Sequence, residues 1–209
     1  TQGPIGRYDP LGTEMFAEHR FDYDMFRKGI WLMIWGYFKK LVIADRVAPF
    51  VTTVIKNAPD YSGPIFLLVG VVYSIQIYCD FSGYTDIAIA IALLLGFRLP
   101  INFNSPYKSH NITEFWRRWH ISLSSWLRDY LYISMGGNRK GTFRRYLNLF
   151  LTMLIGGLWH GANVRFVIWG GLHGLALIFD KLLHKLTDWF ETKPLLRFVS
   201  LLVTFHFVC

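Results

Sequence analysis

Apolar positions along the chain gather into runs separated by polar and aromatic stretches. Residues 1–28 are polar and turn-rich, opening on GPIGRYDPLG, and read as a short non-membrane segment. Residues 29–55 are apolar but broken by Lys39, Lys40, Asp45 and Arg46, which suits a bent or interfacial helix better than a straight span. NAPDYSGP at 57–64 reads as a loop, and residues 61–79 carry no charge over a length close to the ~20 residues that cross a hydrocarbon core. IAIAIALLLGF at 87–97 continues in helix formers but is too short to span alone. From 98 to 145 the chain turns polar and aromatic; residues 146–164 are again uncharged, 166–179 form a shorter apolar run, and a last one begins near 195. The fold class expected is all-α: a polytopic membrane protein with tilted, interrupted and re-entrant helices. No internal repeat or low-complexity tract interrupts the pattern.

Composition supports that class. Hydrophobic residues make up 53% of the 209 and charged residues 17%, against about a quarter in soluble chains. A mean hydropathy of +0.29 is modest for a membrane protein, in keeping with spans interrupted by polar segments. The net charge of +8 is not accompanied by a nucleic-acid motif, so no nucleic-acid partner is expected, and the charge instead orients the chain in the bilayer. GGNRKGTFRR at 136–145 places Arg139, Lys140, Arg144 and Arg145 beside the 146–164 run, which puts that loop in the cytoplasm. A solvated turn explains the same residues, and so does a landing strip for an anionic donor such as a coenzyme A or carrier phosphate. Cys79 and Cys209 stand apart in apolar runs, so neither a disulfide nor a metal site is expected. A start without methionine and an end inside LLRFVSLLVTFHFVC suggest an internal fragment, incomplete at both ends.

Candidate chemistry centres on histidine. In HNITEFWRRWHISLSSWLRDYL, Asn111 is a candidate N-cap with Glu114 three residues on. From there Trp116, Trp119, His120, Leu123, Trp126, Leu127, Tyr130 and Leu131 recur at three- and four-residue steps, predicting one continuous helix with His120 on its apolar face. Alone, such a histidine is more often a hydrogen-bonded core residue than a catalyst. His160 ends an uncharged run inside GGLWHGAN, flanked by Gly156, Gly157 and Gly161, where small residues admit a close neighbour or a substrate. Histidine suits proton abstraction because its unperturbed pKa lies near neutrality, and helix packing explains His160 about equally well. Asp80 and Asp86 read as structurally paired acids, His173 in WGGLHG as packing, and the H-x4-D spacing of His19 and Asp24 as chance. No G-x-S-x-G, Walker or H-E-x-x-H motif is present.

DFSGYTDIAIAIALLLGFRLPINFNSPYKSHNITEFWRRWHISLSSWLRDYLYI, then GGNRKG, LIGGLWHGAN and FVIWGGLHG, resemble the membrane-bound O-acyltransferase family over about Gly3 to Lys185. The bacterial alginate and cell-wall polysaccharide O-acetyltransferase branch is nearest in pattern, with the teichoic acid D-alanyl transferases related. The resemblance implies a single membrane domain over 1–209, in which His160 is the W-H-G catalytic histidine and His120, 40 residues upstream, its partner. It offers Trp119, Trp159 and Asn163, with Arg139 and Lys140, as substrate-binding residues; Arg165 stands where an uncharged residue is expected. It also implies a multi-pass protein of the inner (cytoplasmic) membrane, surrounded by lipid, with no bound cofactor. Acetyl-coenzyme A or a carrier thioester would be the donor, an exported polysaccharide the acceptor, and a periplasmic or extracellular acetyltransferase the partner. His160 would act as general base and His120 would orient the acceptor or stabilise the oxyanion. A proton-coupled transporter and a non-catalytic scaffold are the alternatives from other classes, and D-alanyl transfer the alternative chemistry.

Overall fold

The computed structural model describes residues 3–183 and 193–209, and every regular element among them is helical. His184 and Lys185, at the edge of the family resemblance, lie outside the described residues. The chain forms two compact units, residues 1–102 with Cys209, and residues 103–208.

In the first unit, α1 (Tyr8–Met15) lies within the turn-rich opening segment, where no helix is expected from its pattern. α2 (Tyr23–Tyr37) starts where the Asp22 carboxylate accepts from the backbone N–H groups of Asp24 and Met25. It runs through a wide π-helical stretch at Phe38–Ala44 into α3 (Asp45–Lys56). This is the interrupted helix expected over 29–55. α4 (Gly63–Leu94) corrects the sequence reading: one helix of 32 residues replaces a span at 61–79 and a separate helical run at 87–97. Asp80 and Asp86 do not break it because each finds a cation. Lys39 Nζ meets Asp86 Oδ2 at 2.5 Å and the Ser82 hydroxyl at 3.0 Å, while Lys40 Nζ lies 2.7 Å from Asp80 and 2.8 Å from Asp45. Pairing is what makes acids tolerable in an apolar helix, and the structural reading of both aspartates holds. Rising ~1.5 Å per residue, α4 extends roughly 48 Å, more than the ~30 Å hydrocarbon core. Among the described residues it is the one helix long and apolar enough to cross a bilayer by itself.

α2 and α4 touch through glycine. A Cβ on Gly36 would stand 2.9 Å from the Gly83 carbonyl oxygen, and one on Gly83 would stand 2.8 Å from that of Gly36. Many large apolar side chains lie on the outside of the units, and many of the buried residues are small or polar. Leu67, Leu95, Phe179, Leu182 and Val203 are exposed, whereas Ser82, Thr85, Asn102, Asn148 and Thr152 are buried. Lipid solvates large apolar side chains as well as the interior does, so close packing of small residues adds to the helix–helix contact, as at Gly36 and Gly83.

The second unit holds α5 (Ile112–Arg118), α6 (Ile121–Leu127), α7 (Gly141–His160), α8 (Val164–Leu182) and α9 (Pro194–Val208), with a second π-helical stretch at Arg128–Tyr132. α7 and α8 run antiparallel, joined by residues 161–163. α7 begins within the basic loop, so Arg144 and Arg145 belong to its first turns rather than preceding a span at 146. Asn148, fully buried, donates through Nδ2 to the Met135 and Gly137 carbonyls and holds that loop against the helix. Ile112, Phe115, Met153 and Leu177 make the core of this unit.

Candidate functional site

The continuous helix expected across His120 is absent: α5 stops at Arg118 and α6 starts at Ile121, with His120 between them at φ 45°, ψ 54°. The last backbone bond of α5 is Trp119 N–H to Phe115 C=O, and the first of α6 is Ser124 N–H to His120 C=O. Competition for a carbonyl accounts for the break. The Arg118 C=O accepts from the Asn104 N–H at 2.9 Å, and the Arg118 guanidinium donates to the Asn104 C=O while pairing with Glu114. The neighbouring loop thus takes the acceptor that a continuing helix would need. The left-handed conformation costs a non-glycine residue about 1–2 kcal/mol, with histidine among the residues that tolerate it best. At the start of α5, Asn111 caps as expected by accepting from the Glu114 N–H. Glu114, however, reaches the N–H of His110 rather than that of Asn111.

His120 is 2% exposed and faces the Trp159 ring at 6.3 Å between centroids. Trp159 in turn packs edge-on to His160 at 5.1 Å. The two sequence-predicted histidines therefore share one indole, with His120 buried and His160 exposed. Aromatic contacts hold the His160 ring: besides Trp159, Trp169 lies 5.3 Å away at 87° and Phe166 6.2 Å away. Among the described residues it has no hydrogen-bond partner, which leaves its nitrogens open to a reactant.

Backbone proximity sets this cradle. A Cβ on Gly170 would lie 2.5 Å from the Met153 carbonyl oxygen, and one on Gly157 would overlap the Phe166 carbonyl oxygen. α7 and α8 thus meet with almost nothing between them one turn before His160, which brings Phe166 and Trp169 onto its ring. The α7 backbone closes with Gly161 N–H to Leu158 C=O, and Asn163 restarts it by accepting from the Arg165 N–H at 3.0 Å. Asn163 is thus the exposed N-cap of α8, and Arg165 is an exposed residue of the first turn.

The other predicted site residues lie elsewhere. Trp119 belongs to an aromatic cluster, stacked on Phe115 at 5.6 Å with Phe103 edge-on at 4.9 Å. Arg139 and Lys140 are exposed in the loop before α7, shaped by Gly136, Gly137 and Gly141 at positive φ. Tyr132 steadies that loop through a hydrogen bond from its hydroxyl to Asn138 Oδ1, and burial pushes the phenol above its usual pKa, so it remains a donor. His19 packs on Phe97 at 4.6 Å and Asp24 pairs with Arg27 at 3.2 Å. An apolar cleft of about 530 Å³ between α5, α8 and α9 includes none of the site residues.

Sequence reasoning missed Trp169 and Phe166. Their signal was present in GANVRFVIWGGLHG: a cap at Asn163 resets the helical phase, and Gly170 sits where α8 must approach α7.

Three relatives set the chemistry in context. The chain is 50% identical over 182 residues to a probable alginate O-acetylase AlgI of Azotobacter vinelandii, covering 87% of this chain and 36% of that protein. It is 44% identical over 210 residues to a peptidoglycan O-acetyltransferase of Helicobacter pylori, covering 99% and 39%. It is 31% identical over 227 residues to a teichoic acid D-alanyltransferase of Bacillus subtilis, covering 100% and 56%. The chain spans less than two fifths of the two acetylating relatives. The family model for the membrane-bound O-acyltransferases matches residues 3–209, through both compact units and the whole W-H-G region. A match over residues 3–209 makes this chain a member of the membrane-bound O-acyltransferase family, and so a membrane protein.

Proposed function

We propose that the protein transfers an acetyl group from a cytoplasmic thioester, acetyl-coenzyme A or a carrier thioester, towards hydroxyls of an exported polysaccharide. The observation that carries this reading is the open imidazole of His160 in its aromatic cradle, with His120 against the same Trp159 ring. The names of the O-acetylating relatives support an acetyl donor and a saccharide acceptor for this chain.

His160 takes the proton of the acceptor hydroxyl as its oxygen attacks the thioester carbonyl carbon. The tetrahedral oxyanion collapses, the C–S bond breaks, and the departing thiolate takes the proton back from the imidazolium. Positioned acid–base catalysis of this kind is worth about 10²–10⁴-fold. His120, fixed at a helix break, orients the acceptor or stabilises the oxyanion. Trp159 and the Asn163 amide lie within three residues of His160 and contact the reactants, and Trp119 backs the helix break. Arg139 and Lys140 attract the donor's phosphates, and the positive-inside rule sets their loop in the cytoplasm. The protein is multi-pass in the inner membrane, and a periplasmic or extracellular acetyltransferase receives the acetyl group.

The test uses the full-length parent protein in its own membrane with its partner genes present. Ester-linked acetyl on the exported polysaccharide is quantified for wild type, His160→Ala and His120→Ala, with each variant's accumulation measured by immunoblot. Loss of acetyl at normal protein level is expected for both, and undiminished acetylation in both defeats the assignment.

A further inference from the structure

His173 is read from sequence as packing, yet its surroundings ask more of it. It is 4% exposed, midway along α8, and its Nδ1 accepts a hydrogen bond from the Trp116 indole N–H at 3.3 Å. Indole nitrogen is a donor only, so Nδ1 carries a lone pair and the ring is the neutral Nε2–H tautomer. A ring fixed in that form at a buried place is no third acid or base. It lies 4.7 Å from Trp169 and 5.2 Å from Trp116, and those two indoles lie 5.7 Å from each other, so the three rings contact one another pairwise. Phe207 of α9 closes the cluster from another side at 5.3 Å.

Trp169 also forms the edge-on wall of His160. With no hydrogen bond to set its rotamer among the described residues, His160 takes its orientation from its aromatic neighbours. Trp116 belongs to α5, the helix that leads to His120. We propose that His173 is a positioning residue: through its hydrogen bond to Trp116 and its contact with Trp169 it ties α5 to the wall of His160, fixing the base's orientation relative to His120. This rests on His160 being the base of the transfer reaction. Loss of the tie leaves the helices packed but lets Trp169 and His160 turn, and small misplacements of a reacting group cost up to about 10²-fold in rate.

The experiment uses the full-length protein in native membranes, with acetyl-coenzyme A as donor and initial rates normalised to immunoblotted protein. His173→Phe keeps a ring but removes the acceptor; about 10- to 100-fold lower kcat is expected, with the donor KM within about twofold. His173→Asn, which returns an acceptor near the Nδ1 position, restores most of that loss. Trp116→Phe removes the donor from the other side and reproduces the His173→Phe defect, and the double variant is no worse than either single one. Wild-type kcat in His173→Phe, an Asn variant as slow as the Phe variant, or losses that merely track protein amount would overturn the proposal. His160→Ala run in parallel separates the two readings. Transfer surviving there removes His160 as base, whereas a normal His173→Phe beside an inactive His160→Ala removes only the positioning role.

Discussion

Gly157→Ala tests whether backbone contact between α7 and α8 builds the His160 cradle. The added methyl would overlap the Phe166 carbonyl oxygen and lie 3.2 Å from both the Phe166 carbonyl carbon and Gly170 Cα. All are backbone atoms, so no side chain can rotate away and the helices themselves must part. Overpacking costs about 1–3 kcal/mol, while alanine recovers about 0.8–1 kcal/mol of helix propensity over glycine. The net is a destabilisation of up to about 2 kcal/mol, placed one turn before His160. Gly171→Ala, on the same helix pair, is the control. Its methyl would sit 3.8 Å from Leu154 and 4.0 Å from Phe150, ordinary contacts, so the propensity term dominates and stability holds or rises by up to about 1 kcal/mol. Thermal unfolding of the full-length protein in detergent, paired with acetyl transfer in membranes, reads both. Gly157→Ala should melt earlier and transfer more slowly, with Gly171→Ala matching wild type in each. Equal behaviour of the two variants would refute the close-contact argument.

Other perturbations isolate single interactions. Lys39→Met strands the Asp86 carboxylate in a mostly buried setting and should cost about 3–5 kcal/mol, whereas Lys39→Met with Asp86→Leu should recover most of it, read as melting temperature of the detergent-solubilised protein. At the helix break, His120→Asn keeps a residue that tolerates the left-handed conformation, so it should accumulate normally while losing transfer; His120→Val should fail to accumulate, since a β-branched side chain is a poor fit there. Arg139→Gln with Lys140→Gln should raise the KM for acetyl-coenzyme A and flatten its dependence on ionic strength, with kcat at saturation preserved. An unchanged KM would take the basic loop out of donor binding.

The run lengths, the scarcity of charge and the bent 29–55 segment were legible in sequence because they follow from local hydropathy and helix periodicity, which each stretch carries in itself. So was a structural pairing of Asp80 and Asp86, since an acid in an apolar helix needs a cation, although the partners are Lys39 and Lys40 rather than arginines. The W-H-G setting marked His160 through its ordered neighbours. Three things depended on tertiary structure. α4 is one helix because salt bridges from another element neutralise its acids, a contact no window of sequence contains. The helix breaks at His120 because the Asn104 N–H, from a loop 14 residues before Arg118, takes the Arg118 carbonyl. Helical periodicity placed His120 correctly inside but could not see a competitor for a backbone acceptor. Trp169, Phe166 and His173 join the site because Gly157 and Gly170 let two backbones touch, and the meaning of a glycine in a helix lies in what stands opposite it.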